Sequence, residues 1–213
     1  MTLFLLLTLG CVPQAQYTKL ENQYEKSQRE VERLKKELDA ENQLTQKLVA
    51  EFRDLMTDLK PLIDKGVVTV EVVNGRIVIG MDSDVLFASG SAELSASGKQ
   101  NVAELARVLT RRAADHDFQV EGHTDADSIS TAQFPDNWYL GASRAINVTE
   151  YMISQGFPGD HISAATFAWY QPVATNATPE GRKQNRRIEI VMQPDLGAMP
   201  IFQALQESAG KSR

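Results

Sequence analysis

A chain of 213 residues has the length of one ordinary domain with appendages. Its formal net charge of −6 excludes nucleic acid as the main partner, because phosphate binding needs a basic face. With 42% hydrophobic and 7% aromatic residues it is neither a disordered chain nor a polytopic membrane protein. Three stretches of different texture follow one another.

The first is "MTLFLLLTLGC". Residues 1–10 are too few to span a bilayer as a helix, which needs about 20 residues. They read as the apolar core of a secretory signal. Cys11 is the only cysteine, so it has no internal disulfide partner. Leu7, Thr8, Leu9, Gly10 and Cys11 are similar to a bacterial lipobox, in which the cysteine is lipidated and becomes the new N-terminus. Thr8 departs from the leucine preferred there, and the charged stretch that normally precedes the apolar run is missing, which leaves open a start further upstream. The expectation is lipidation at Cys11 followed by a linker over residues 11–16. Each acyl methylene buried in a bilayer contributes about 0.8 kcal/mol, so several chains hold firmly. Val12 after the cysteine, rather than aspartate, is compatible with sorting to the outer membrane.

Residues 17–60 contain neither glycine nor proline and are dense in Glu, Lys, Gln and Leu. Alternating steps of four and three visit Leu20, Tyr24, Ser27, Val31, Leu34, Leu38, Glu41, Thr45, Leu48, Phe52, Leu55 and Leu59. Of these only Ser27, Glu41 and Thr45 are polar. A sustained 3.5-residue period predicts a coiled-coil helix and a homo-oligomer. A helix lying on a core would show the 3.6 period and a wider apolar face. Glu41 and Thr45 are poor seam residues and predict a local loosening. At 1.5 Å per residue, about 44 residues reach roughly 65 Å, the length of a spacer. Pro61 and Gly66 then punctuate the chain.

From Val67 the texture changes. "VVTVEVV" and "RIVIGM" flank Asn74-Gly75, which predicts a hairpin with a type I′ turn. Residues 99–112 carry Val102, Leu105, Ala106 and Leu109 at helical spacing. "FQVEG" reads as a strand, residues 141–155 as a helix closed by Gly156, and "ISAATFA" as a strand. Pro179 opens a short helix to Asn185, and "RIEIVM" alternates as the last strand. Strands alternating with helices predict a mixed sheet covered by helices, an α/β sandwich. In the tail, residues 194–213, a short amphipathic helix is expected near Ile201, Phe202 and Leu205.

"LFASGSAEL", "VEGHTD", "NWYLGASRA" and "PEGRKQNRRIEI" occur in the order and at about the spacing of an OmpA-like peptidoglycan-binding domain. The resemblance covers residues 67–193, and "AQFPDNWYLGASRA" is most similar to the version in the flagellar stator protein MotB. It implies a βαβαβ-type sandwich whose ligand is the diaminopimelate of the wall's peptide stem. That ligand offers an ammonium beside a carboxylate. The resemblance then implies that Asp125 pairs with the ammonium and that Arg144 takes the carboxylate with two parallel N–H bonds. Read from the residues alone, Asp125 and Arg144 are as well explained by pairing with each other on the surface. Arg144 is expected in the first turn of its helix, near the positive end of the dipole. Asn137 is expected to orient the loop or touch the ligand, Thr124 to offer a hydroxyl or a backbone contact, and Arg186 to line the pocket. Ser89 and Gly90 are expected in the opposite wall. Gly141 stands where many relatives have serine before the helix, and Ala88 lacks a polar side chain that some carry.

His123 with Asp125 and Asp127 forms an H-x-D-x-D string that falls short of zinc-site spacing. It is expected to bury its ring and hydrogen-bond the loop backbone, with no metal and no cofactor. Ser128 and Ser130 have no persuasive base beside them, so no enzyme is expected. "RKQNRR" is too short to indicate nucleic acid, and the glycosylation patterns at Asn147 and Asn176 are read as chance. The parts together predict a non-enzymatic lipoprotein of the outer membrane, facing the periplasm, that tethers bilayer to peptidoglycan. The alternative is a coiled-coil scaffold of an envelope or motility complex in which wall binding is secondary.

Overall fold

The computed structural model describes residues 14–194; the expected signal segment, Cys11 and the helix expected near Ile201 lie outside them. The chain divides into two compact units, Met1–Phe52 and Arg53–Arg213. Among the described residues no helix is long and apolar enough to cross a membrane.

Helix α1 (Gln14–Asp64) supplies the described part of the first unit and the opening turns of the second. In the first unit its polar faces carry ion pairs at helical spacing, such as Arg29 with Glu25 at 2.8 Å and Lys36 with Glu32 at 3.4 Å. These pairs are solvated and add little. The seam residues Leu20, Tyr24, Leu34 and Leu38 are 65%, 64%, 50% and 56% exposed, so the single chain leaves the apolar stripe uncovered.

In the second unit the same stripe has a different fate. Leu55, Leu59 and Leu62 are buried in the core with residues of the sheet and the following helices. Gly66, at φ +68°, closes α1 in the left-handed region, and Val67 N–H donates to Leu62 O at 2.9 Å. The globular unit therefore begins at Arg53 rather than near Val67. Leucines spaced by four and three read alike whether they face a partner helix or a sheet.

Strands β1 (Thr69–Val73) and β2 (Arg76–Asp82) form the expected hairpin, with Asn74 at φ 51° and Gly75 at φ 75°. A single turn, α2 (Ser83–Leu86), precedes α3 (Ala96–Ala113), whose N-cap Ser95 accepts from Gly98 N–H. Asp58 of α1 pairs with Arg111 and Arg112 in the last turn of α3. Then come β3 (Phe118–His123), α4 (Asn137–Ser154), a 3-10 turn (Gly159–His161), β4 (Ile162–Ala168), α5 (Pro179–Asn185) and β5 (Arg187–Met192). The five strands make one mixed sheet in the order β1-β2-β5-β3-β4, antiparallel except for the β3/β4 pair.

Alternate residues Ile79, Met81, Val120, Ile188 and Ile190 enter the core with Val102, Leu105 and Leu109 of α3 and Val148 and Met152 of α4. The crossing of α4 over β3 is close. A Cβ on Gly122 would lie 2.1 Å from Gly141 O, and one on Gly141 would lie 2.3 Å from Thr166 Oγ1. Gly141 is thus a contact residue inside α4 and not the helix cap that the serine comparison assumed. Asp136 caps α4, its carboxylate accepting from Trp138 and Tyr139 N–H.

Candidate functional site

Sheet register assembles a cluster of charge. Asp82 at the end of β2 and His123 at the end of β3 both pair with Arg187 at the start of β5. Residues just past those strand ends therefore converge. Arg186 Nη1 donates to Asp125 Oδ2 at 2.7 Å, while its Nε and Nη2 donate to the two oxygens of Asp84 at 3.2 and 2.8 Å. The second contact is the parallel fork that suits a guanidinium. These bonds raise the pKa of Arg186 and lower that of Asp84. Ser83 N–H also donates to Arg186 O at 3.0 Å, tying the α2 turn to β5.

The loop after β3 is held by its own polar residues. Thr124 N–H donates to Ala168 O and Thr124 Oγ1 donates to Asp125 O, both at 2.9 Å. Asp125 Oδ1 accepts from Asp127 N–H at 3.1 Å, an Asx turn. Asn137 Nδ2 donates to Asp125 O and Asp127 O at 3.2 and 3.0 Å, and its Oδ1 accepts from Ile129 N–H at 3.3 Å. Of the two roles expected for Asn137, its amide serves the first, orientation of the loop.

Arg144 differs most from expectation. Because α4 starts at Asn137, Arg144 lies two turns inside the helix, and proximity to the helix terminus does not account for it. It is 4% exposed. Its Nε donates to Ser91 O at 2.9 Å, and its guanidinium carbon sits 5.0 Å from the centre of the Phe87 ring. Burial pushes its pKa down, opposed first by the charge of Asp84 and then by that of Asp125. Among the described residues no carboxylate lies within ion-pair distance of it and neither Nη group makes a hydrogen bond. The surface pair of Asp125 with Arg144 does not form, since Asp125 pairs with Arg186 instead.

The structure adds residues that the sequence did not single out. Asp84 stands opposite Asp125 across Arg186. Ser91 and Phe87, rather than Ser89 or Gly90, meet the buried guanidinium. Asn147 Nδ2 donates to Ala92 O at 2.7 Å and fastens the same loop to α4. Asn185 is fully buried and accepts from Val173 and Ala174 N–H, while Asn176 accepts from Ala126 N–H and Asn185 Nδ2. Both glycosylation patterns are thus asparagines engaged in loop architecture. The only local signal for Asp84 was the Asp-x-Asp spacing of "MDSD", which also fits an ordinary helix cap. His123 corrects another expectation. Both ring nitrogens are buried without a hydrogen bond, and the ring stacks on Phe167 at 5.6 Å.

Comparison with known proteins follows this geometry. The OmpA family model matches residues 86–186. YtxE of Bacillus subtilis, an uncharacterised protein, is 33% identical over 159 residues, which are 74% of this chain and 62% of YtxE. The chain thus spans less than two thirds of that relative. Among solved structures, a MotB-like protein of Desulfovibrio vulgaris superposes with a TM-score of 0.65 at 27% identity, covering 71% of this chain and 94% of that one. The cell wall anchor of the T6SS from Pseudomonas aeruginosa superposes with a TM-score of 0.61 at 32% identity, covering 66% of this chain and 97% of the anchor. The mixed sheet, the helices that cover it and the loops after β2 and β3 are those of an OmpA family domain, and the globular unit of this chain belongs to that family.

Proposed function

We propose that this chain binds peptidoglycan through the diaminopimelate of the peptide stem, as a non-enzymatic tether. The observation that carries the reading is Arg144, a buried guanidinium with no carboxylate within ion-pair distance among the described residues. A buried cation without a counterion is costly, and a ligand carboxylate on its Nη groups completes a bidentate pair. The ligand's ammonium then meets Asp125, with Asp84 close behind. Thr124 and Asn137 hold the loop that presents Asp125, and Arg186 holds both acids in place. Likeness to a cell wall anchor supports the reading. In the fuller version an acylated Cys11 attaches the chain to the outer membrane on its periplasmic side, and the helical stretch over residues 17–52 sets the distance to the wall.

A second reading makes the coiled coil primary, as a scaffold of an envelope or motility complex. The uncovered seam through Leu34 and Leu38 and the likeness to a MotB-like protein favour it.

Co-sedimentation of the chain from Gln14 onward with purified diaminopimelate-type peptidoglycan tests the first. Wild type is expected in the pellet, with Asp125→Ala and Arg144→Ala left in solution while circular dichroism shows them folded. Arg144→Lys keeps the charge but not the fork, and is expected to weaken binding by about tenfold or more. Wild type remaining in solution removes the tether reading and leaves the scaffold.

A further inference from the structure

We propose that Glu121, His123 and Glu189 form a binding site for one divalent metal ion, on the sheet face turned away from α3 and α4. Alternation places them there. Val120 and Ile190 enter the core, so Glu121, His123 and Glu189 project from the opposite side.

The first observation is geometric. His123 Nε2 lies 3.4 Å from Glu121 Oε2 and 3.6 Å from Glu189 Oε2. The three donor atoms all lie within 4.8 Å of one another. Neither contact of the ring nitrogen satisfies hydrogen-bond geometry. Around a metal with ligands at about 2.0–2.1 Å, tetrahedrally placed donors stand about 3.3–3.4 Å apart. These contacts lack hydrogen-bond geometry, yet their spacing is close to the edge of a coordination tetrahedron.

The second observation is the imidazole itself. His123 is 1% exposed, and both of its nitrogens are buried without a partner. A buried ring normally hydrogen-bonds, and this one turns Nε2 toward two carboxylates.

The third is charge. Glu121 is 3% exposed, and among the described residues no lysine or arginine pairs with it. Arg187 neutralises Glu189 only, through Nε to Oε1 at 2.5 Å. Its Nη groups are pinned to Asn185 O and Gln171 O at 3.2 and 3.1 Å. That outer contact fixes Glu189 and leaves Oε2 facing the imidazole, as supporting groups do around metals. The pocket keeps one negative charge in excess, which a cation offsets. One imidazole nitrogen and two carboxylate oxygens suit zinc, with a water as fourth ligand. Glu189 and Arg187 also line a surface groove with Thr69, Glu71 and Gly80.

The test uses the full chain stripped with a chelator and titrated with zinc chloride by calorimetry at neutral pH, alongside thermal unfolding. One saturable equivalent and a raised unfolding temperature are expected. Glu121→Gln, and Glu189→Gln as a second variant should the first not fold, are expected to weaken zinc binding by about tenfold or more. His116→Gln and His161→Gln, which alter surface imidazoles, are expected to bind as wild type does. Absence of saturable binding overturns the proposal. Unchanged affinity in a folded Glu121→Gln or Glu189→Gln variant overturns it equally, by placing the ion elsewhere.

Discussion

At the scale of single residues, backbone approach and charge pairing set the tolerances. Gly122→Ala brings a Cβ to 2.1 Å from a backbone carbonyl that cannot swing aside. It is expected to lower stability by about 3 kcal/mol in urea denaturation. Gly141→Ala meets a side-chain hydroxyl, Thr166 Oγ1, so Thr166→Ala in the same chain is expected to recover part of its loss, whereas it cannot rescue Gly122→Ala. Asp84 carries a prediction in pH. Its bonds to Arg186 hold its folded pKa below the ordinary value. Its contribution is therefore present above the unfolded carboxylate pKa of about 3.9 and is lost as pH falls through the folded value. Thermal melts of Asp84→Asn against wild type are expected to differ at neutral pH and to converge in acid. The motif residues Asp125, Arg144 and Arg186 were picked out in the sequence by the resemblance of their motifs to the OmpA family. Their actual pairing was not. Asp84 and Arg186 are 102 positions apart, and only strand register brings them to one point.

At the scale of elements, α1 illustrates what periodicity leaves undecided. Leu34 and Leu59 occupy the same repeat, yet Leu34 is half exposed in the single chain and Leu59 is fully buried. Leu59→Ala is expected to cost about 3 kcal/mol, read by chemical denaturation of the chain from Gln14 onward. A fragment starting at Val67 lacks Leu55, Leu59 and Leu62 and is expected to melt well below the longer chain. The hairpin at Asn74-Gly75 and the helix opening at Pro179 followed from residue chemistry, since positive φ and a missing N–H are local constraints. The start of α4 did not. Asp136 caps it five residues before Gly141, and a glycine inside a helix resembles one at its end until the crossing with β3 is known. The start of β4 offers a second pH test. His161 Nδ1 lies 2.8 Å from Asp117 Oδ1, and this contact raises its pKa. Stability from that contact is complete below the unfolded histidine value of about 6.5 and is lost as pH rises through the folded one. The melting temperatures of wild type and His161→Gln are expected to differ at mildly acidic pH and to meet at alkaline pH.

At the scale of the whole molecule, the first unit exposes an apolar seam and the second carries the candidate site. For the oligomer proposed through this seam, Leu34→Glu with Leu38→Glu is expected to cause dissociation in sedimentation velocity while leaving the fold of residues 53–194 intact. If wall binding by the variant also falls, the loss is one of avidity, because linked sites gain effective concentration without new contacts. The sequence by itself determined the class of the fold and its local turns and helices, because periodicity and turn chemistry act within a few residues of the chain, while the candidate site residues came from the resemblance of their motifs to a family. Only the tertiary structure decided that the globular unit starts at Arg53, that Asp125 pairs with Arg186 while Arg144 lies buried without a counterion, and that His123 faces Glu121 and Glu189. Those outcomes depend on sheet register and on the desolvation that packing imposes, and both are set by residues far apart in the chain.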